Sequence, residues 1–299
     1  MQHGVVDAES EVMFMKSWSR AYSGQPDPPP DHVRLRPEWE ARPEPGSLAR
    51  PEGFLMNSFP PGPPPPPEFA GVMPKIMGTR VVLVPFGKAL LASLKESALA
   101  RDPVAPPLFF STDDLLSAKI WSALCKARIA QLGIPEDSEL ETTMARACNF
   151  RGRTEPKLGE SYFANGVSQV WTRTTVKDLL SSSLTSVALK LRASLSEHQP
   201  ETVVARARWL LQEQGSGRRT RLEFDEHALT FIQSNWGFDW EGVVFGGEKP
   251  AAFDHGAHTP IVSVTVPRAG GDGSNVYCSG PQGSLEAIFN ELRGGDGVV

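Results

Sequence analysis

The sequence predicts a mixed α/β fold, with helices packed on mixed sheets. Three observations carry that expectation. Strand-like segments such as 79–84 alternate along the chain with segments of helical period such as 179–195. Two strand-like runs, 261–266 and 275–278, flank Gly270-Gly271-Asp272-Gly273, which predicts an antiparallel hairpin. The chain of 299 residues is 40% hydrophobic and 22% charged, enough apolar material for one large domain or two ordinary ones.

The first element is a helix over Ala8–Tyr22, amphipathic from its start, with Phe14, Trp18, Ala21 and Tyr22 recurring at helical spacing and Gly24 as a natural C-cap. From Gln25 to Phe69 the chain turns proline-rich. Pro28–Pro30 and Pro63–Pro67 predict a solvated, partly polyproline connection, long enough to be functional or to run between lobes. Thr79 to Val84 predicts a strand and Gly87 to Leu99 a helix. Ser111-Thr112-Asp113-Asp114 is a capping box for a helix carrying Leu115, Ile120, Trp121, Leu124 and Ile129 on or near one face, ended by Gly133 and Pro135. Strands follow at 142–150 and 166–172, then a helix marked by Leu179, Leu180, Leu184, Val187, Leu191 and Leu195. A further helix spans 200–214, with proline near its start, followed by a strand at 228–236, the hairpin and a last helix at 285–292.

Composition excludes several functions. A net charge of −5 argues against a nucleic-acid binder, which needs a basic surface. No run of about 18 apolar residues predicts a membrane span, and no secretory signal is visible. Cys125, Cys148 and Cys278 are few and far apart, which suits reduced thiols in a cytoplasmic protein; the absence of C-x-x-C argues against structural zinc. Asp254, His255 and His258 fit a polar, glycine-flanked loop better than a metal cluster. No G-x-S-x-G, P-loop or G-x-G-x-x-G sequence is present.

Four stretches carry chemistry. His3-Gly4-Val5-Val6-Asp7 is an H-x-x-x-D motif that runs through Ala8-Glu9-Ser10 into the aromatic-rich helix. An alcohol is a poor nucleophile near neutrality, and a neutral histidine that removes its proton as the new bond forms contributes roughly 10²–10⁴-fold in rate. Phe150-Arg151-Gly152-Arg153, Pro156 and Leu158 lead to Ser161-Tyr162-Phe163-Ala164-Asn165. Ser234-Asn235-Trp236-Gly237-Phe238-Asp239-Trp240 precedes Val243-Val244-Phe245-Gly246-Gly247-Glu248-Lys249-Pro250. Phe110 through Trp121 follows the proline-rich run.

In this order, over nearly the whole chain, these stretches resemble the BAHD acyltransferases, which move an acyl group from coenzyme A to an alcohol or amine. The spacing is most similar to fungal members acting in secondary metabolism. The resemblance implies a two-lobe fold related to chloramphenicol acetyltransferase, with a channel between the lobes. In that family the H-x-x-x-D motif lies well inside the chain. Residues 1–24 are therefore expected to be a remnant of an N-terminal lobe that is largely truncated, 25–78 a proline-rich inter-lobe crossover, and 79–299 the C-terminal lobe.

The resemblance also implies roles. His3 would be the general base. Asp7 would turn away into a structural ion pair with Arg151 or Arg153, and Asn165 would lie near the floor of the donor tunnel. Trp236, Phe245, Gly246 and Lys249 would shape the donor channel, with Trp236 a candidate oxyanion donor. Ala164 stands where glycine is common, and Val244, Gly247 and Glu248 replace the family's Asp, Trp and Gly; losing that Asp removes an expected anchor of the loop. Acyl-CoA would be a co-substrate, acetyl its commonest acyl group, with no metal and no permanently bound cofactor. The acceptor would be a small-molecule alcohol or amine, and the full-length form a monomer. Two alternatives remain: a non-catalytic remnant of such an enzyme, and a condensation-like domain taking donors from carrier proteins. The aromatic-Gly-Lys-Pro ending favours coenzyme A over the latter.

Overall fold

The computed structural model describes residues 6–27, 50–51, 54–57, 79–154, 157–159, 161–215, 219–222, 229–252 and 262–293. Helix α1 (Ala8–Tyr22) starts at Asp7, whose carboxylate accepts the Ser10 N–H. It closes at Gly24, where φ is +67°. From there Gly24 and Gln25 donate back to the carbonyls of Ala21 and Arg20, leaving Ser23 as the last half-helical residue. The aromatic stripe predicted in this helix does not face a core: Phe14, Trp18 and Tyr22 are 44%, 53% and 66% exposed, and the buried side is Ser10, Val12 and Ser19. Periodicity identifies which side chains share a face, not what covers it.

The expectation of a solvated connection over 25–69 is corrected at one place. Phe54–Asn57 forms β1, paired antiparallel with β5 (Arg219–Leu222). Pro28–Pro30 and Pro63–Pro67 lie outside the described residues.

The main sheet has six strands, β2 (Thr79–Phe86), β3 (Glu141–Asn149), β4 (Val167–Thr175), β6 (Thr230–Asn235), β7 (Val262–Pro267) and β8 (Ser274–Pro281), in the order β2-β8-β7-β6-β3-β4. β3, β6 and β7 run parallel, while β2·β8, β7·β8 and β3·β4 are antiparallel. The predicted hairpin is β7–β8. Gly273 sits in its connection at φ +96°, where a Cβ would meet the Phe86 carbonyl at 2.1 Å, so only glycine fits.

Helices α2 (Lys88–Arg101), α3 (Thr112–Leu132), α5 (Leu184–Glu197) and α7 (Leu285–Arg293) contribute to the core that also takes in one face of this sheet. Val84, Phe86, Val276, Cys278, Phe231 and Met144 meet Leu115, Ile120, Trp121 and Leu124 there. α3 has the predicted capping box, with Ser111 and Asp114 reciprocally bonded, and ends on left-handed Gly133. Trp121 lies wholly inside and donates to Thr142, which donates to the Leu229 carbonyl, at 3.0 and 2.9 Å. Buried Asp114 accepts from Arg146 at 2.7 Å and from Arg192, so the first turn of α3, β3 and α5 share one ion cluster.

The leucine-rich run expected as one helix is two. α4 (Val176–Ser181) stops at extended Ser182. Ser183, also extended, caps α5 by accepting the Ser186 N–H. α6 (Pro200–Gly215) follows. Among the described residues no helix is long and apolar enough to cross a membrane.

Candidate active site

Because β3 and β6 are parallel neighbours, the segments leaving their C-terminal ends emerge on the same edge of the sheet. These are 150–166 and 236–252, which hold the second and third predicted motifs. α1 is fastened to both.

Its N-terminal fastening is Asp7. Arg151, on a 3-10 turn after β3 (Arg151–Arg153), places Nη1 2.8 Å from one carboxylate oxygen and Nη2 2.9 Å from the other. The Gly166 N–H donates to Asp7 at 2.7 Å, and the Ser10 N–H at 2.9 Å. The same guanidinium also donates to the carbonyls of Ala164 and Tyr162, at 2.7 and 3.2 Å, and to the Ser10 hydroxyl. The pair is nearly sealed, with side chains 1% and 5% exposed. Burial pushes the Asp7 carboxyl up, but Arg151 and the Ser10 and Gly166 N–H groups outweigh it and hold the carboxyl below its usual range. Of the two arginines considered for this role, Arg151 makes the contact. Arg153 is on the same turn, and its charge is felt by Cys148 and His198.

His3 lies outside the described residues, four positions before the carboxylate that fixes the entry to α1. Pro156 is also outside them. Asn165 works within its own turn, its carbonyl oxygen accepting the Val167 N–H at 3.3 Å.

The C-terminal half of α1 holds the segment after β6. Ser19 bonds both polar groups of the Val244 backbone, accepting its N–H at 2.8 Å and donating to its carbonyl. Lys16 pairs with Asp239 at 2.8 Å. The Phe245 ring lies 5.3 Å from Trp18 and 5.6 Å from Tyr22, edge-on to each. Phe245 and Glu248 exchange backbone hydrogen bonds across Gly246 and Gly247 at φ +62° and +87°, a two-residue turn that needs two glycines. Trp236 donates its backbone N–H to Thr265 at 2.7 Å and its indole N–H to the Ser234 hydroxyl at 3.1 Å, so its ring donor is engaged within β6. Lys249 is exposed, 4.0 Å from Glu241.

Sequence reasoning missed Ser10, Ser19 and Gly166. Ser19 bonds the backbone of Val244, one of the positions that departs from the family pattern. A Cβ at Gly166 would stand 2.5 Å from Arg151 Nη1, so any larger residue there would displace the guanidinium. The one available signal was a glycine opening a strand, which marks close approach of something to the backbone. Nothing local marks the serines. Among the described residues no group of His, Cys, Asp and Glu is placed to hold a metal; Asp254, His255 and His258 lie outside them.

Comparison with known proteins agrees with this architecture. Residues 1–292 match the Transferase family model. The chain is 32% identical over 139 residues to the O-acetyltransferase dmxR13 of Cryptosporiopsis sp. (strain 8999), a match covering 46% of this chain and 28% of that protein. It is similar in fold to TRI101 of F. graminearum, solved with ethyl coenzyme A. The TM-score is 0.68 at 17% identity, over 95% of this chain and 62% of that one. Vinorine synthase gives 0.66 at 16%, over 98% and 60%. The chain thus spans less than two thirds of the length of each of these relatives. It belongs to the Transferase family, that of the BAHD acyltransferases.

Proposed function

We propose that this chain carries the coenzyme A-dependent acyl-transfer chemistry of its family, moving an acetyl group from acetyl-CoA to a hydroxyl or amine of a small secondary metabolite. The carrying observation is the fourfold-bonded Asp7 carboxylate, which fixes the backbone four residues after His3 at the edge where the β3 and β6 segments meet. The ethyl coenzyme A bound to TRI101 and the acetyltransferase name of the fungal relative support the donor class.

In this reading His3 removes the acceptor proton as the oxygen or nitrogen attacks the thioester carbonyl. The tetrahedral intermediate then collapses, and His3 returns the proton to the departing thiolate. Asp7 does not touch the reacting atoms; with Arg151 it positions the helix entry. Arg153, Asn165, Phe245, Gly246 and Lys249 belong to the two segments proposed to flank the donor. Trp236, its indole committed to Ser234, is proposed as a wall of the channel and no longer as the oxyanion donor. Residues 1–24, 25–78 and 79–299 are proposed as the motif-bearing part of an N-terminal lobe, crossover and C-terminal lobe, in a cytoplasmic protein that needs no permanently bound cofactor.

One observation favours a non-catalytic reading: the aromatic face of α1 is exposed, so the surroundings of the site are open on that side. A single assay separates the two. Thiol release from acetyl-CoA is followed with a panel of hydroxylated acceptors, for the chain and for His3→Ala with an unchanged circular dichroism spectrum. Turnover lost in His3→Ala supports catalysis; no release with any acceptor, or equal rates in both proteins, sinks it.

A further inference from the structure

The two segments that build the candidate site, 150–166 and 236–252, leave the sheet in the same way. Asn149 is the last residue of β3 and Asn235 the last of β6, on neighbouring parallel strands. The side-chain carbonyl of each accepts a backbone N–H two residues on: that of Arg151 at 3.0 Å for Asn149, and that of Gly237 at 2.8 Å for Asn235. Such a bond turns the chain out of the strand direction. The side-chain amide nitrogen of each donates to a carboxylate in the first turn of a helix. Asn149 donates to Glu9 of α1, and Asn235 to Asp113 of α3 at 2.5 Å. Either arrangement alone would be an ordinary turn. The same two-sided bonding recurs at both segments of the site.

Each side chain meets an N–H donor with its oxygen and a carboxylate with its nitrogen, which suits the two faces of an amide. Asp in its place would keep the turn but lose the donor, setting two carboxylates in contact. The two asparagines hold different things. Oδ1 of Asn149 also accepts Arg151 Nη1 at 3.3 Å, the nitrogen that bonds Asp7. Asn149 therefore grips the Asp7–Arg151 pair from the sheet side and α1 through Glu9. Asn235 starts the segment that carries Phe245 and Lys249, and its partner Asp113 lies 3.8 Å from Arg146 of the buried ion cluster. Both asparagines are exposed, so they set direction without filling the core.

We propose that Asn149 and Asn235 are positioning residues for acyl transfer. Asn149 acts on the base through Arg151, Asp7 and the entry to α1; Asn235 acts on the donor through the direction of 236–252. The inference rests on the acyl-transfer reading, in which Asp7 fixes the backbone after His3 and 236–252 flanks the donor. Neither asparagine touches the reacting atoms.

Steady-state kinetics of the full chain with acetyl-CoA test it. Asn149→Asp should lower kcat about tenfold and leave KM for acetyl-CoA within about twofold. Asn235→Asp should do the reverse, raising that KM about tenfold with kcat nearly kept. The double variants Asn149→Asp/Glu9→Gln and Asn235→Asp/Asp113→Asn exchange donor and acceptor across each bond. They should restore most of the loss, which general destabilisation would not allow. The same change of kcat and KM in both single variants, or no restoration by either exchange, would overturn the proposal. Amide hydrogen exchange gives a second reading that needs no turnover. Protection should fall at Ser10 and Gly166 in Asn149→Asp and at Val244 in Asn235→Asp, with Trp121 on α3 unchanged in both. Unaltered exchange at Ser10, Gly166 and Val244 would also overturn it. If the unsubstituted chain releases no thiol with any acceptor while exchange responds as described, the acyl-transfer reading falls, and the part of the asparagines in catalysis falls with it.

Discussion

The Asp7–Arg151 pair holds two charges almost entirely away from water, so its worth lies less in net attraction than in the cost of breaking it. Removing one partner of a buried pair typically costs 3–5 kcal/mol, because the other charge is stranded. Asp7→Asn keeps the shape and strands Arg151, so local opening of the edge it fastens should become easier by about 3 kcal/mol, read as faster amide hydrogen exchange at Ser10 and Gly166. Gly166→Ala tests the geometry differently. The new methyl collides with the guanidinium, a strain of roughly 1–3 kcal/mol. In an Asp7→Asn/Arg151→Met background, where no guanidinium crosses the glycine, most of that cost should vanish; an equal cost in both backgrounds would refute the close-approach account. His198 supplies a pH dependence. Its folded pKa of about 4 lies below its ordinary 6.5, so the unfolded chain binds more protons between those values, and stability is lost as pH falls through that window. From pH 7 to 5 the loss attributable to His198 is about 2 kcal/mol. That range lies above the carboxyls of Asp7 and Asp114, both held low. His198→Gln should flatten the profile there, and an unchanged slope would remove His198 as its source.

At the scale of elements, α1 is a strap across two segments that leave adjacent parallel strands. Ser19 is its fastening to the second segment, through both backbone groups of Val244. Ser19→Ala should leave the Val244 N–H and carbonyl unpaired, at a cost of about 1–3 kcal/mol. Faster amide hydrogen exchange at Val244, with exchange in α3 unchanged, would locate that loss in the strap; a uniform rise across the chain would place it elsewhere. The elements also show what the sequence makes legible. α3 could be read from end to end because its signals are local: Ser111 and Asp114 cap it, and Gly133 stops it in a left-handed conformation. β1 and β5 escaped because four-residue strands exist only through each other, and the paired Phe54 and Leu222 are 168 positions apart in the chain. The break between α4 and α5 was masked because an unbroken leucine pattern runs across Ser182 and Ser183. In the site, the arginine for Asp7 was legible through the family resemblance only to within two candidates, and side-chain reach chose Arg151. Ser10 and Ser19 were invisible because a serine facing a carbonyl across a helix interface has the same sequence as one facing water.

For the whole molecule, the three cysteines report whether the strap and the core open together. Cys125 sits on α3, Cys148 near the end of β3 and Cys278 on β8; all are buried, and none is in a disulfide. The thiolate is the reacting species. Burial pushes the Cys278 thiol up to about 12, and burial likewise raises Cys148 against the opposing pull of Arg153, Arg146 and Arg206. A thiol reagent at pH 8 must therefore wait for the chain to open, and labelling becomes a local probe of opening. Chains of this size need not open in one step. Cys125 and Cys278 lie in the one large core and should label together, at the denaturant midpoint seen by circular dichroism. Cys148 lies three residues before Arg151, at the edge that α1 straps down, and should label with them while the strap holds. Asp7→Asn releases that edge without touching the core. Cys148 should then label at lower denaturant, with Cys125 and Cys278 shifted far less. A common shift of all three thiols would mean that the Asp7 fastening stabilises the molecule as a whole; no shift at Cys148 would mean that the strap does not control the edge where the candidate site is built.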